Sequence, residues 1–391
     1  MSIAQPGSFE FTPFDYQPRT RVCFGVGALD RLGELTRELG GRRVLLVSDP
    51  GVVAAGHAER GRAVLVEAGV DAILFDGVEV NPTTEHVDAG LAVAKAERID
   101  FLVGLGGGSV MDCAKGINFL LTNGGRMQDY WGIGKASKPM LPMIAVPTTA
   151  GTGSEAQSFA LILDPETRTK MACGDKKAAC RAAILDPALT VSQPREVTIA
   201  TGIDAASHAI ESYVTRRRNR YSQMLSREAW ALIDSSIERV LAEPGDLDAR
   251  AGALLGAHYA GAAIEQSMLG AAQACANPLT TQYGITHGVA VGVMLPHVIR
   301  LNASATGIWY SELVSGRPGD ADPQADGAEW LASRVMTLLR AGGVAGRLSD
   351  HGVREVDVPA LAEDAARQWT GQFNPRPVDA RVLGELYRRA L

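Results

Sequence analysis

Five short runs rich in branched apolar residues punctuate the first half of the chain: RVLLVSD (43–49), DAILFDG (71–77), DFLVGLGG (100–107), MIAVPTT (143–149) and AAILDP (182–187). Amphipathic stretches of helical length, such as 53–68 and 83–97, lie between them. This alternation constrains the fold more than any other feature. Parallel strands need a crossover connection, and helices supply it, so the pattern predicts a doubly wound, mostly parallel sheet with helices on both faces. The pattern changes in SQPREVTIATG (192–202), after which helical periodicity dominates with little strand signal. The expected organisation is an α/β domain over 1–192 and an all-helical domain over 193–391.

Composition narrows the partners. The net charge is −6, which gives no support for nucleic-acid binding, and the basic run TRRRNR (215–220) reads as a solvated helix end. Five cysteines (23, 113, 173, 180, 275) form no CxxC pair, as expected in a reducing cytoplasm and not in a cysteine-based zinc site. The N-terminus lacks the basic and apolar regions of a signal peptide, and no uninterrupted apolar run approaches the ~20 residues of a membrane span. A cytoplasmic protein with no membrane partner is expected. SGRPGDADPQADG (315–327) reads as an exposed loop.

Three stretches could carry chemistry. FLVGLGGGSVMDCAK (101–115) runs from a strand through three glycines into a helix. Glycine lets a ligand approach the backbone, and a helix start offers free N–H groups to a pyrophosphate. It nearly fits G-x-G-x-x-G, with Ser109 in place of the last glycine, and the acid some 20 residues on, Asp129, sits on no apparent strand. VPTTAGTGSEA (146–156) ends another strand in hydroxyls that could face phosphate or ribose, or could be a turn with Ser154 as helix cap. Asp49, at the end of VLLVSD, suits the two hydroxyls of an adenosine ribose; an Asx-turn at DPG is the local alternative. In TGIDAASHAIESY (201–213), Asp204 and His208 share a helical face and could chelate one metal ion, with Glu211 a further turn along. A capping box at Thr201–Asp204 is the competing reading.

Together these stretches resemble the iron-containing (group III) alcohol dehydrogenase family. The match runs in order through FGVGAL (24–29), GGGSVMDCAK (106–115), PTTAGTGSE (147–155), KMA (170–172), ILDP (184–187), GIDAASHAIE (202–211), THGVAVGVMLPHV (286–298) and NPRP (374–377). The resemblance implies a nucleotide-binding α/β domain, a helical domain and a catalytic cleft between them. It assigns Asp49 to the adenosine ribose of NAD, with NADP disfavoured. Gly106, Gly107, Gly108 and Ser109 would hold the pyrophosphate, opposite Thr148, Thr149 and Thr152, and Lys170 would stand beside the cofactor. Asp204, His208 and His287 match three of the four residues that hold a catalytic divalent metal, Fe²⁺ or Zn²⁺. A homodimer acting on a small alcohol or aldehyde is also implied.

The pattern breaks in AAQACANPL (271–279). Where the family usually offers its remaining metal-binding histidine stands Gln273, and where it often has a proton-relaying histidine stands Asn277. An amide oxygen is a weaker donor than imidazole for late first-row metals, so a weakly held ion is expected at Asp204, His208, Gln273 and His287. Asn277 also removes a group titrating near neutral pH. The favoured reading is a metal-dependent NAD(H) alcohol dehydrogenase or aldehyde reductase. A lyase or cyclase of the dehydroquinate synthase type, using NAD transiently, and a catalytically weakened NAD-binding homologue are the alternatives.

Overall fold

The computed structural model describes residues 12–315 and 326–391. Most of the loop expected at 315–327 lies outside the described residues. The strands are β1 (Arg21–Phe24), β2 (Arg43–Val47), β3 (Asp71–Phe75), β4 (Phe101–Gly106), β5 (Gly132–Ile133), β6 (Met143–Pro147), β7 (Phe159–Asp164), β8 (Thr169–Gly174) and β9 (Ala182–Leu185). Between them run helices α1 (Leu32–Glu38), α2 (Pro50–Ala54), α3 (His57–Glu67), α4 (Thr84–Ala96) and α5 (Gly108–Asn123). The rest of the chain is helical: α6 (Arg195–Val214), α7 (Arg220–Ala242), α8 (Leu247–Gln266), α9 (Ala271–Tyr283), α10 (His287–Val314), α11 (Gly327–Ala341), α12 (Val358–Ala366) and α13 (Ala380–Ala390).

Six strands form one parallel sheet in the order β1-β9-β6-β4-β2-β3. Alternate side chains of β2 and β4 enter two different cores. Val44, Leu46, Val103 and Leu105 pack with Leu32 and Leu35 of α1 and Leu65 of α3. Leu45, Val47 and Leu102 pack with Val87 of α4 and Val110, Cys113 and Ile117 of α5. The sheet is therefore covered on both faces, which is why its strands read as nearly continuous apolar runs. The expected helix 53–68 is broken at Gly56, whose φ of 79° starts α3 anew. Four strands are not marked by the five apolar runs: β1 at the sheet edge, and β5 with the β7–β8 hairpin, which form a small separate sheet.

The chain runs from β2 outward to β3, then crosses back to β4 on the other side of β2. This reversal makes the carboxyl ends of β2 and β4 the topological switch point, where open α/β sheets form a crevice.

In the helical part, α6 is buried on nearly every side from Ile199 to Val214, and it lies among α7, α8 and α10. A helix of mostly small and apolar residues suits that central place, with Asp204, His208 and Glu211 as its buried charged or titratable exceptions. Residues 287–306 of α10 are apolar and long enough to span a bilayer by composition, but two thirds of that stretch is buried inside the fold. His287, Pro296, His297 and Arg300 interrupt it, so no unbroken apolar run marks it in the sequence. The basic run at 215–220 connects α6 to α7, where Arg218 stacks on Trp309 at 3.3 Å and Asn219 caps α7.

Candidate active site: a glycine-lined crevice and a stitched polar cluster

The two turns singled out in the sequence meet at the switch point. Gly107 precedes α5, whose N-terminus receives no side-chain cap, so its first N–H groups remain available to an anion. A Cβ on Gly108 would lie 2.5 Å from Cγ2 of Thr152, and one on Gly106 would lie 2.6 Å from Cγ2 of Val110. The Gly107 position instead faces Thr149 at an ordinary 3.4 Å. Glycine is therefore demanded where the turns abut, and the uncapped helix start suits a pyrophosphate. The Ser109 hydroxyl accepts from the Asn81 N–H at 3.3 Å.

Asp49 forms the local turn that was the alternative reading, and its second oxygen lies free of that cap. One carboxylate oxygen caps α2, accepting from the Val52 N–H at 3.0 Å; the other lies 3.2 Å from where a Gly106 Cβ would stand. That second oxygen is placed beside the glycine turn, as a ribose contact requires. Asp129 only closes a short 3₁₀ turn, accepting from the Arg126 N–H.

The second turn is wedged between the two parts of the molecule. Thr148 pairs with the carbonyl of Gly106, and Thr152 accepts from the Ser154 N–H. Ser154 caps no helix, contrary to the local alternative, since Gly153 fills that place. Its hydroxyl instead donates to Asp112 at 2.7 Å, while Lys115 donates to Ser154 Oγ, Ser154 O and Phe159 O. Burial raises the Asp112 carboxyl, and Lys115 opposes the rise. None of Asp112, Lys115 or Asn81 was singled out from sequence. An Asp-x-x-Lys pair one turn into the helix after the glycines was the available signal.

Lys170, on β8, is half-buried and donates to Asn81 Oδ1 at 3.1 Å. Burial lowers its pKa, with the carboxylates of Asp112 and Asp204 working the other way. Lys170 thus feels carboxylates from both α5 and α6.

A polar cluster gathers Asp204, His208, Gln273 and His287. The capping-box alternative fails because α6 begins at Arg195, more than a turn before Thr201. His208 Nε2 lies 3.3 Å and His287 Nε2 3.8 Å from Asp204 Oδ1. Gln273 joins them: its nitrogen donates to Asp204 Oδ1 at 2.9 Å and to Ser207 Oγ at 3.0 Å, and its oxygen faces His287 Nε2 at 2.9 Å. Burial would raise the Asp204 carboxyl, but His208, His287, Gln273 and Lys170 together hold it below the ordinary range. Burial pushes His287 down to about 4, so it is neutral at pH 7 with a single ring proton.

The expected metal-ligand set is not formed. Ser207 gives its hydroxyl proton to the Asp204 carbonyl at 2.7 Å, so it presents a lone pair to Gln273. Asp204 presents another. The amide nitrogen must therefore face both, which turns the oxygen toward His287 and requires an N–H on its Nε2. Gln273 and the Nε2 of His287 are thus committed to hydrogen bonds, while the Nδ1 atoms of His287 and His208 have no partner among the described residues. Among the described residues no group of three or more His, Cys, Asp or Glu side chains is arranged to hold a metal ion. The residues present do not fit the expected cation.

Glu211, the further acid on α6, turns away to the start of α9. It accepts from the N–H groups of Gly270, Ala272 and Gln273 at 3.2, 2.8 and 3.4 Å. Asn277 donates to Gln368 Oε1 at 3.0 Å. Gln368 and Ser207 were missed in the sequence, where nothing local marks them.

A parallel sheet with a glycine-lined switch point, backed by a helical part that brings a polar cluster to it, defines a class of two-part α/β enzymes. Family models place the chain within that class. "Iron-containing alcohol dehydrogenase" matches residues 18–187, and "Fe-containing alcohol dehydrogenase family, C-terminal" matches 198–391. The chain belongs to the iron-containing (group III) alcohol dehydrogenase family, a family of oxidoreductases. It is 34% identical to the 1,3-propanediol dehydrogenase of Citrobacter freundii, over 96% of this chain and 98% of that one. It is 33% identical to the lactaldehyde reductase of Escherichia coli, over 94% and 97%. The crystal structure of a 1,3-propanediol oxidoreductase superposes with a TM-score of 0.94 at 34% identity, covering 97% of this chain and all of that one. The sulfoacetaldehyde reductase of Bifidobacterium kashiwanohense, solved in complex with NAD⁺, superposes with a TM-score of 0.87 at 26% identity, covering 97% and 99%.

Proposed function

We propose that this chain transfers hydride between NAD(H) and a small alcohol or aldehyde in the cleft between its α/β part (1–192) and its helical part (193–391). One observation carries the reading: the glycine turn after β4 and the hydroxyl turn after β6 abut at the switch point, a Gly108 Cβ meeting Thr152 at 2.5 Å. The names of the relatives, dehydrogenases of diols and reductases of small aldehydes, support the substrate class.

In this reading the N-terminus of α5 and Gly106–Ser109 hold the pyrophosphate, with Thr148, Thr149 and Thr152 as the facing wall. Asp49 takes the adenosine ribose and disfavours a 2′-phosphate by charge repulsion. Bound NADH supplies the hydride. The substrate oxygen gains negative charge as hydride arrives, and the half-buried Lys170 amine is the group on that side placed to offer it a hydrogen bond. Asn277 is tied to Gln368 and carries no titrating proton, so it orients the cleft while water or a ribose hydroxyl delivers the proton. A cytoplasmic homodimer completes the proposal.

The test is NADH oxidation by the purified chain across short aldehydes, paired with NADH fluorescence titration. Stoichiometric oxidation with one or more aldehydes is expected. Tight NADH binding with no turnover on any of them would favour the weakened homologue.

A further inference from the structure

We propose that Gln273 makes this a metal-independent site, its amide taking the bridging place a cation would hold between Asp204 and His287. The inference rests on the dehydrogenase reading for its setting and on the donor geometry for its content.

A divalent ion would satisfy the Asp204 carboxylate with positive charge and the two imidazoles by accepting their lone pairs. Here Asp204 and the Nε2 of His287 are met without one, while the Nδ1 atoms of His208 and His287 have no hydrogen-bond partner among the described residues. The Gln273 nitrogen supplies hydrogen-bond donors to Asp204 and Ser207, and its oxygen accepts from His287. One planar amide gives two N–H donors, to Asp204 and Ser207, and one acceptor, to His287, whereas a neutral imidazole at 273 would have a single donor for those two acceptors.

The side chain is also held in place. Gln273 is 5% exposed, and its backbone N–H is bound to Glu211 in the first turn of α9. Turning the amide to offer its oxygen to a metal would set two acceptors, Asp204 Oδ1 and Ser207 Oγ, against that oxygen. Binding an ion through Gln273 therefore requires breaking its buried hydrogen bonds to Asp204 and Ser207 and its bond to His287, a penalty a histidine at this position would not impose.

The test reads metal directly. Wild type and Gln273→His are incubated with Fe²⁺ or Zn²⁺, desalted and measured for metal content, and Co²⁺ is titrated while its d–d absorption is followed. Wild type is expected to retain no stoichiometric metal and to show no tetrahedral cobalt bands. Gln273→His is expected to retain about one equivalent and to bind Co²⁺ at least tenfold more tightly, the scale on which ligand-shell changes act.

Gln273→Glu guards against misfolding of the histidine variant. It keeps the shape but places a carboxylate against Asp204, a pair that a cation relieves, so it too should gain metal. A full equivalent retained by wild type, or no gain by either folded variant, overturns the proposal. Wild type that turns over NADH while holding its metal sinks this inference alone. Metal-free wild type without turnover sinks the dehydrogenase reading alone.

Discussion

Lys115 is fully buried, and its ammonium group is met by three oxygens and the nearby Asp112 carboxylate. Removing the charge strands Asp112 without its cation. Lys115→Met should therefore cost about 3–5 kcal/mol in urea unfolding. Adding Asp112→Asn should recover part of the loss, because the stranded charge goes with it; equal losses in the single and double variants would show that the two are not coupled. Residues of this kind were only half legible. Asp49, Gly106–Gly108 and Asp204/His208 announced themselves because strand ends and helical spacing are local properties. The direction of the Gln273 amide was not local: it is set by a hydroxyl on α6 and an imidazole at the start of α10.

At the scale of elements, α9 depends on a carboxylate from another helix. Glu211 meets three N–H groups at the start of α9, and burial raises its carboxyl to about 7 despite them. Glu211→Ala leaves those donors unmet and should destabilise by about 2–4 kcal/mol, whereas Glu211→Gln, which keeps an acceptor, should lose about 1 kcal/mol. Comparable losses would place the effect in packing.

His297 on α10 gives the pH prediction. Burial, reinforced by Arg300 and Arg389, pushes it down to about 4. The unfolded chain therefore binds a proton near 6.5 that the folded chain refuses, and the stability His297 lends above pH 6.5 is lost as pH falls toward 4. His297→Gln should flatten the melting temperature against pH in that window; an unchanged slope would remove His297 as its source. Among elements, the sheet was legible because its strands are covered on both faces. The β7–β8 hairpin was not, although FALILD and TKMACG flank a DPETR turn and β7 alternates buried and half-buried residues. Its small sheet lies outside the βαβ rhythm that guided the reading.

Across the whole molecule, the two parts meet backbone to backbone. Gly153, at φ 61°, lies so close to α8 that a Cβ would stand 2.6 Å from Gly261 Cα and 2.7 Å from the Ala257 carbonyl. Gly153→Ala adds strain and overlap together and should lower stability by about 2–4 kcal/mol. It should also weaken NADH binding, since this turn forms one wall of the crevice; unaltered binding would separate the contact from the site. The division into sheet and helices was legible from periodicity, but this contact was not, because GTGSE looks like any flexible turn until the helix it meets is known.

The central claim is that hydride passes across this cleft, and isotope transfer tests it most directly. Purified chain supplied with NADH carrying deuterium at both C4 positions, together with a short aldehyde, should yield alcohol with one deuterium on the carbinol carbon, detected by mass spectrometry. Alcohol without deuterium, or NADH bound and unconsumed with every aldehyde offered, would contradict it.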